Sequence, residues 1–220
     1  GEREAYLVPM PVAAALGADL PVFKPSGNLV VDIGASRIDV AVISLGGIVT
    51  GASVRLGKYE WTQLIVNYLQ NVHSITVASA TLEEMKERVG TATQPNEDYE
   101  FAFQGRDTTN GLVVRKTVSA SEMYEVLRKS IRFIIMEIRN IMQDTPPELL
   151  SDVMENGITL TGGGAQLNGL AERLQKELTV PVRVANNSEY CVVNGLNVAA
   201  DNVSAMKRFV VATNSRKGKA

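Results

Sequence analysis

Apolar runs separated by glycine predict three short strands in the first part of the chain. The runs cover residues 29–33, 37–45 and 48–56, and Gly34 and the pair Gly46-Gly47 separate them. Because tight turns at glycine join neighbouring strands in opposite directions, these runs predict an antiparallel meander. We expect Gly34 to be the hinge of the first hairpin, since glycine has free backbone φ.

Helical spacing of apolar residues predicts helices on either side of a polar stretch. A short helix over residues 11–17 precedes the meander, and helices over 60–69 and 81–89 follow it, the last with Thr81 and Glu84 as a capping box. Residues 91–118 are more polar and predict two short strands, 98–104 and 112–118, around a turn.

The longest predicted helix starts after this polar stretch. Ser119 and Glu122 form a capping box, and an apolar stripe follows at helical spacing: Met123, Leu127, Ile131, Ile134, Ile138 and Ile141. A short helix that begins at a proline pair and ends at Gly157 comes next, then a strand, a glycine loop, a helix, a strand and a helix over about 189–199. The order of elements predicts a mixed α/β protein.

Composition narrows the partners and the compartment. The 220 residues carry 22 basic and 24 acidic side chains, and this balance gives no reason to expect nucleic acid as a partner. The single cysteine favours a reducing compartment, and no apolar run reaches the length of about 20 residues that a membrane span needs. We therefore expect a cytoplasmic location. The sequence starts without methionine and in the middle of a pattern, and we expect it to be part of a longer protein.

The strongest candidate for chemistry is the stretch GITLTGGGAQLNGL, residues 157–170. An apolar strand leads into Gly162, Gly163 and Gly164 and then into a helix, so backbone N–H groups can approach an adenosine or a phosphate closely. The alternative is a tight strand-to-helix connection that needs glycine for steric reasons only. The stretch matches neither the dinucleotide fingerprint nor the Walker loop.

Other candidate side chains are scattered. Glu83 and Lys86 share a helix face and could grip a ribose or a base, although such a pair is ordinarily a solvated ion pair. Asp32 ends a buried strand just before Gly34, where a carboxylate could orient a metal-bound water or bond the N–H groups of its own turn. We expect a surface or helix-end role for His73 and a buried apolar role for Cys191. No cluster of metal ligands and no nucleophile with its base is apparent.

The order of these segments resembles the C-terminal half of the MreB family of bacterial actin-like filament proteins. The matching stretches include ISLGGIV, TPPEL, LTGGGA and TLEEMKERVG, and the resemblance covers residues 3–210. It implies an α/β actin-like ATPase fold of the ribonuclease H-like type, a mixed sheet with helices on both faces and a small inserted α+β subdomain. In that family ATP binds in a cleft between two large domains, and the first of these would precede residue 1.

The resemblance also divides the chain. Residues 1–17 would be a connecting helix from the absent first domain, and residues 18–78 with 145–200 the core of the second domain. Residues 79–144 would be the inserted subdomain. Residues 201–220 would hold a terminal helix, over about 201–210, and a disordered basic tail.

Position by position, the resemblance implies a nucleotide site with missing parts. Gly162, Gly163 and Gly164 match the adenosine loop, and Glu83 and Lys86 match the nucleoside-gripping pair. Asp32 and Gly34 remain in the phosphate turn, but the family's Gly-Gly-Thr-Thr is replaced by Ala35-Ser36-Arg37-Ile38, so Arg37 either contacts phosphate or fills the vacant place. Gly57-Lys58-Tyr59 stands where the family has GGD, which puts bulk beside the cleft.

The catalytic glutamates are absent as well. Pro9 and Met10 occupy the family's glutamate positions, and neither side chain can accept a proton or orient water, so we assign no catalytic residue. The resemblance therefore implies ATP or ADP with Mg2+ as cofactor, bound weakly or lost. It implies partners in other copies of the chain or other cell-shape proteins, and no direct membrane contact from this half.

Three functions fit these observations. The first is a degenerate or truncated MreB-type filament scaffold with weak or no ATP hydrolysis by this chain alone. The second is the C-terminal part of an active, ATP-dependent filament protein that tolerates the altered loops. The third, which the ISLGGIV and TPPEL matches disfavour, is another ATPase of the actin or sugar-kinase fold.

Overall fold

The computed structural model describes residues 6–202 and 211–212 of the chain. The described elements follow in this order: β1 (Tyr6–Leu7), α1 (Met10–Gly17), β2 (Asn28–Ile33), β3 (Ile38–Ser44), β4 (Gly47–Val54), α2 (Lys58–His73), β5 (Ile75–Thr76), α3 (Ser79–Val89), β6 (Glu100–Asp107), β7 (Val113–Ser119), α4 (Ala120–Gln143), α5 (Pro147–Asn156), β8 (Ile158–Thr161), α6 (Leu170–Leu178), β9 (Val182–Val184), α7 (Cys191–Asp201) and β10 (Val211–Ala212).

The main sheet has five strands in the order β4-β3-β2-β8-β9. Strands β2, β3 and β4 pair antiparallel, which confirms the predicted meander, whereas β8 pairs parallel with both β2 and β9. Every residue of β2 is buried, as expected for a central strand covered on both faces. The carboxyl ends of β2 and β8 consequently lie side by side at one edge of the sheet.

Helices cover both faces of this sheet. Alternate residues of β2 divide between two clusters: Leu29, Val31 and Ile33 pack in the larger core with buried residues of α2 and α4, and Val30 packs in a smaller core with α1. Where α1 meets α7, a Cβ on Gly17 would lie 2.6 Å from the carbonyl carbon of Cys191. Cys191 is fully buried there, which confirms its predicted apolar role.

A second, three-stranded sheet has the order β5-β6-β7 and packs with α3 and α4 into the same larger core. The capping box at the start of α4 is confirmed, because Ser119 Oγ accepts from the N–H of Glu122 at 3.2 Å and Glu122 accepts from the N–H of Ser119 at 2.6 Å. Burial raises the pKa of Glu122, but hydrogen bonds from Tyr68, Ser119 and His73 outweigh it and the net pKa is lowered. His73 is the last residue of α2, as predicted.

Two local predictions differ from the structure. Helix α3 begins at Ser79 behind Ala78, which makes no side-chain cap, so the predicted capping box at Thr81 is wrong because Thr81 already lies inside the helix. Helix α7 begins at Cys191 rather than at residue 189, since residues 188–190 form a 3-10 turn. The predicted terminal helix falls largely on residues 203–210, and these, like the basic tail, lie outside the described residues.

Candidate nucleotide site

Asp32 lies at the shared carboxyl edge of β2 and β8. Its register partner on β8 is Thr161, whose hydroxyl donates to Asp32 Oδ1 at 2.8 Å, and both side chains are buried. The neighbouring strand therefore holds this carboxylate. The alternative that Asp32 caps its own turn is not what the described structure shows.

The surroundings of Asp32 favour its neutral form. Burial raises the pKa of Asp32, the Thr161 hydrogen bond lowers it, and the charge of Asp39 raises it further, with a net increase. Asp39 lies directly across the hairpin from Asp32 and is itself buried. Among the described residues, Asp39 Oδ2 has no hydrogen-bond partner, and its nearest cation is Arg37, with 3.8 Å between Arg37 Nε and Oδ2. The Arg37 side chain is half exposed and lies beside Asp39, and both roles considered for it stay predictions.

The turn between β2 and β3 is fixed by the start of α2. Gly34 N–H donates to Arg37 O at 2.9 Å and closes the turn, but Gly34 does not adopt a left-handed φ, so the predicted need for free φ at this hinge is wrong. Instead, the carbonyl oxygens of Gly34 and Ala35 accept from the N–H groups of Lys58 and Tyr59 at 3.1 and 2.9 Å.

This turn still exposes backbone donors. Within the described part of the chain, the N–H groups of Ala35 and Ser36 have no protein acceptor, and both residues are exposed. Backbone N–H groups can bind an anion whatever side chain they carry, provided that the residue is not proline. The loss of the family's glycines and threonines therefore leaves a donor pair at the turn.

The three glycines after β8 have different roles. Gly162 has a φ of 80° and its Cβ would lie 2.6 Å from the carbonyl carbon of Ile33, so a side chain there meets both strain and backbone. A Cβ on Gly164 would overlap Ile33 Cγ2 and lie 3.0 Å from Ile33 Cβ. The steric alternative thus explains these two glycines, because β8 and β2 approach closely at their ends.

Gly163 is not required by packing in this way. A Cβ at this position would lie 3.4 Å from Cδ and Nζ of Lys58, which is ordinary contact with a flexible side chain. Gly163 is also partly exposed, in contrast to buried Gly162 and Gly164. It is the glycine of the three whose side is open to a ligand.

Of the pair Glu83 and Lys86 on α3, Lys86 is anchored and mostly buried. Lys86 Nζ donates to Glu83 Oε1 at 2.6 Å and to Thr62 Oγ1 at 2.8 Å, and the Lys86 side chain is 13% exposed. Thr62 Oγ1 in turn donates to the carbonyl oxygen of Lys58 at 3.0 Å. This chain of hydrogen bonds ties Lys86 on α3 to the first turn of α2, whereas the Glu83 side chain is 56% exposed, so the solvated-pair interpretation fails for Lys86 and fits Glu83.

These groups surround an open pocket with a volume of about 510 Å³, which includes the solvent at its mouth. Its lining includes the glycine loop, both members of the ion pair and two residues of α2: Lys58, Trp61, Glu83, Lys86, Glu87, Gly163, Gly164, Gln166 and Leu167. Trp61 is buried against the pocket and donates from Nε1 to Ser130 Oγ at 2.9 Å. Asp32, Gly34 and Gly162 do not line the pocket, but they lie next to it at the carboxyl edge of the sheet.

Sequence reasoning missed several contributors to this site. Trp61 and Thr62 lie within one helical turn of Lys58. The one sequence signal for these two residues is that Lys58 belongs to the altered GGD segment. Thr161 occupies the last place of the strand before the glycine loop, directly in register with Asp32. Pairing of β2 with β8 over a separation of more than a hundred residues could not be read from local pattern.

The described residues hold no cluster of metal ligands and no membrane-spanning helix. No group of three or more histidine, cysteine, aspartate or glutamate side chains there could hold a metal ion. In the same part of the chain, every helix is too short or too polar to cross a membrane.

Comparison with known proteins places this architecture in a family. A family model described as MreB/Mbl protein matches residues 1–208. The cell shape-determining protein Mbl of Bacillus subtilis (strain 168) is 39% identical over 208 residues, and the cell shape-determining protein MreB of Escherichia coli (strain K12) is 38% identical over 195 residues. These matches cover 94% and 89% of this chain, which spans 62% and 56% of the two relatives.

Solved structures agree with the sequence comparison. MreB5 of Spiroplasma citri bound to ADP superposes with a TM-score of 0.84 at 29% identity, over 90% of this chain and 60% of that one. The MamK double helical filament superposes with a TM-score of 0.69 at 19% identity, over 88% of this chain and 58% of the other. The expected actin-like α/β fold is confirmed, and the chain belongs to the MreB/Mbl family.

Proposed function

We propose that this chain is the second large domain of an MreB-type filament subunit and that it binds an adenine nucleotide in the pocket at Gly163. The proposed division keeps residues 18–78 with 145–200 as the core and residues 79–144 as the inserted subdomain. Residues 1–17 would connect to a first domain, and residues 201–210 would return toward it, followed by the basic tail. The first domain would complete the cleft.

One observation carries this proposal. Lys86 donates to both Glu83 and Thr62, and the ion pair lines the same pocket as Gly163 and Gly164. MreB5 of Spiroplasma citri, which has the same fold, was solved with ADP and with AMPPNP. A nucleoside in this pocket would meet a carboxylate and an ammonium group that are already in position, which lowers the entropic cost of binding.

The proposed Mg2+ would arrive with the nucleotide and lie near Asp32. The residues present fit a cation in one respect: the pKa of Asp32 is raised and Asp39 Oδ2 lacks a hydrogen bond among the described residues, so a positive charge would relieve both carboxylates. Asp32 ends a buried strand just before a turn, a place where a carboxylate can orient a metal-bound water, and no cluster of three metal-ligating side chains accompanies it in the described residues. We therefore infer weak Mg2+ and nucleotide binding rather than a complete metal site.

Hydrolysis by this chain alone is not part of the proposal. Pro9 and Met10, just before and at the start of α1, stand where the family has glutamates, and neither can orient an attacking water. Phosphoryl transfer depends on positioning of the attacking water, the metal and the phosphate. This chain has no glutamate at the positions that orient the water in the family. We propose a scaffold role through self-association or contact with other cell-shape proteins in the cytoplasm, without nucleic acid and without direct membrane contact.

Calorimetric titration of ADP and ATP with Mg2+ into the purified chain tests the nucleotide claim. We expect measurable binding that Gly163→Arg abolishes, because an arginine side chain would enter the pocket while its Cβ finds room. Gln143→Arg adds the same charge at an exposed position at the end of α4 and should bind as the parent does. If the parent chain binds neither nucleotide, or if Gly163→Arg binds equally well, the proposed function is wrong.

A further inference from the structure

Lys58 contacts both halves of the proposed site, the turn after β2 and the glycine loop after β8. Its backbone N–H donates to Gly34 O of the turn at 3.1 Å. Its side chain extends to the glycine loop, where Cδ and Nζ each lie 3.4 Å from the place of a Cβ on Gly163. The residue therefore lies between the pocket and the donors at Ala35 and Ser36.

The ammonium group of Lys58 is not neutralised by the protein. Within the described ranges, Lys58 Nζ makes no ion pair or side-chain hydrogen bond, although the side chain is only partly exposed. Lys86, its neighbour across the pocket, is by contrast paired with Glu83 and bonded to Thr62. A compact cation with three donors thus faces open space at the wall of the pocket.

The main chain of Lys58 is held in place. Its carbonyl oxygen accepts from Thr62 Oγ1 at 3.0 Å, and the same hydroxyl accepts from Lys86. Gly57, immediately before it, packs so closely against the turn that a Cβ there would lie 2.6 Å from Ala35 O. These contacts fix where the lysine stem starts, so only the flexible end of the side chain can move.

We propose that Lys58 is a phosphate-binding residue that makes this site select nucleoside diphosphates and triphosphates over nucleosides. The inference rests on the proposed function, since it needs the nucleoside in the pocket at Gly163. A phosphate chain that leaves this pocket toward the N–H groups of Ala35 and Ser36 passes the Lys58 ammonium group. Lys58 then supplies charge to a turn that has lost the glycine and threonine donors expected from the family resemblance.

This role differs from that of a plug. A lysine that merely filled the pocket would hinder adenosine and ADP alike, and its removal would tighten both. A phosphate-binding lysine strengthens the binding of ADP and AMPPNP but not that of adenosine, and its contribution falls as salt rises because charge attraction is screened.

The experiment compares the binding of adenosine, ADP and AMPPNP to the full chain by the change in Trp61 fluorescence. Trp61 is the single tryptophan of the sequence and lines the pocket. Lys58→Met keeps the length of the stem and removes the charge, and Lys58→Arg keeps the charge. Lys129→Met, at an exposed position of α4, makes the same change in net charge outside the pocket. Thermal unfolding of each variant checks that the fold is retained.

We expect Lys58→Met to weaken ADP and AMPPNP binding by about 10- to 100-fold, the range for a hydrogen bond to a charged group, while adenosine binding stays within about twofold. Lys58→Arg should retain most of the selectivity, and Lys129→Met all of it. Equal effects of Lys58→Met on adenosine and ADP, or tighter binding of both, would overturn the phosphate role and leave the nucleotide site intact. Absence of binding of all three ligands to the parent chain would refute the proposed function and this inference with it.

Discussion

Alanine substitutions at the three consecutive glycines separate packing from ligand binding. In Gly162→Ala the new Cβ would lie 2.6 Å from the carbonyl carbon of Ile33, and the alanine would have to adopt a φ of 80°. With a ψ of 163° this backbone conformation is essentially restricted to glycine, and such strain costs about 1–3 kcal/mol for a residue with a side chain. Because the clash is with backbone, β8 must move away from β2, and we expect a loss of about 3 kcal/mol or more in the free energy of unfolding.

Gly164→Ala should be costly for a different reason. Its Cβ would overlap Ile33 Cγ2 and lie 3.0 Å from Ile33 Cβ, and a β-branched side chain in a full core has no other rotamer to adopt freely. Overpacking of this kind costs about 1–3 kcal/mol. Gly163→Ala meets only the flexible end of Lys58, so we expect a change within about 0.5 kcal/mol, since lower entropy of the unfolded chain offsets the contact.

Urea unfolding followed by circular dichroism, with ADP titration of each folded variant, measures both effects. The predicted order of stability is parent and Gly163→Ala together, then Gly164→Ala, then Gly162→Ala. In thermal unfolding of the same variants, about 1 kcal/mol corresponds to about 2–4 °C in melting temperature for a domain of this size, so this second assay resolves the same order. A Gly163→Ala variant as unstable as Gly164→Ala, or a neutral Gly164→Ala, would refute the division of roles among these glycines.

Three further predictions follow from named contacts. The pKa of Asp32 is raised in the folded state, so its stabilising contribution is present at acid pH and lost as the pH rises through the folded pKa. Asp32→Asn should therefore stabilise the chain at pH 7, by about 1.4 kcal/mol for every tenfold change in the acid dissociation constant. Urea unfolding should show this gain shrinking at acid pH. Gly195→Ala would place a Cβ 2.6 Å from the carbonyl carbon of Ala13 and push α7 from α1, and we expect a loss of about 3 kcal/mol or more by the same assay, whereas the exposed Asn197→Ala control should be nearly neutral. Thr62→Val removes the hydroxyl between Lys86 Nζ and the Lys58 carbonyl oxygen and should lower the free energy of unfolding by about 1–2 kcal/mol. A double-mutant cycle with Lys86→Met should give a coupling energy of at least about 0.5 kcal/mol, and strict additivity would exclude an energetic link through this hydroxyl.

Much of the fold could be predicted because its local signals are strong. The meander, the long apolar stripe of α4 and the Ser119 capping box depend on residues close together in sequence, and the structure has all three. The capping box at Thr81 was wrong because helix α3 starts two residues earlier, behind a residue without a capping side chain. A start that tertiary contacts select cannot be read from capping pattern alone.

The site was predictable in part. The glycine loop and the Glu83–Lys86 pair stand out by residue type and spacing, and the structure brings them to one pocket. Which glycine faces the ligand depends on Ile33, which lies on a strand far away in sequence, and the partner of Asp32 depends on the pairing of β2 with β8. Lys58 was recognised only as bulk, since its free ammonium group becomes visible once the turn, helix α2 and the glycine loop are placed together.

The location of the nucleotide is tested most directly by an ADP titration of the isotope-labelled chain, followed by amide NMR. The account predicts shifts at Gly163 and Gly164 of the pocket and at Ala35 and Ser36 of the turn. A wider groove of about 880 Å³ between residues 92–96 and α6 serves as the internal control and should be silent. Shifts confined to that groove, or none at saturating ADP, would contradict a nucleotide site at Gly163.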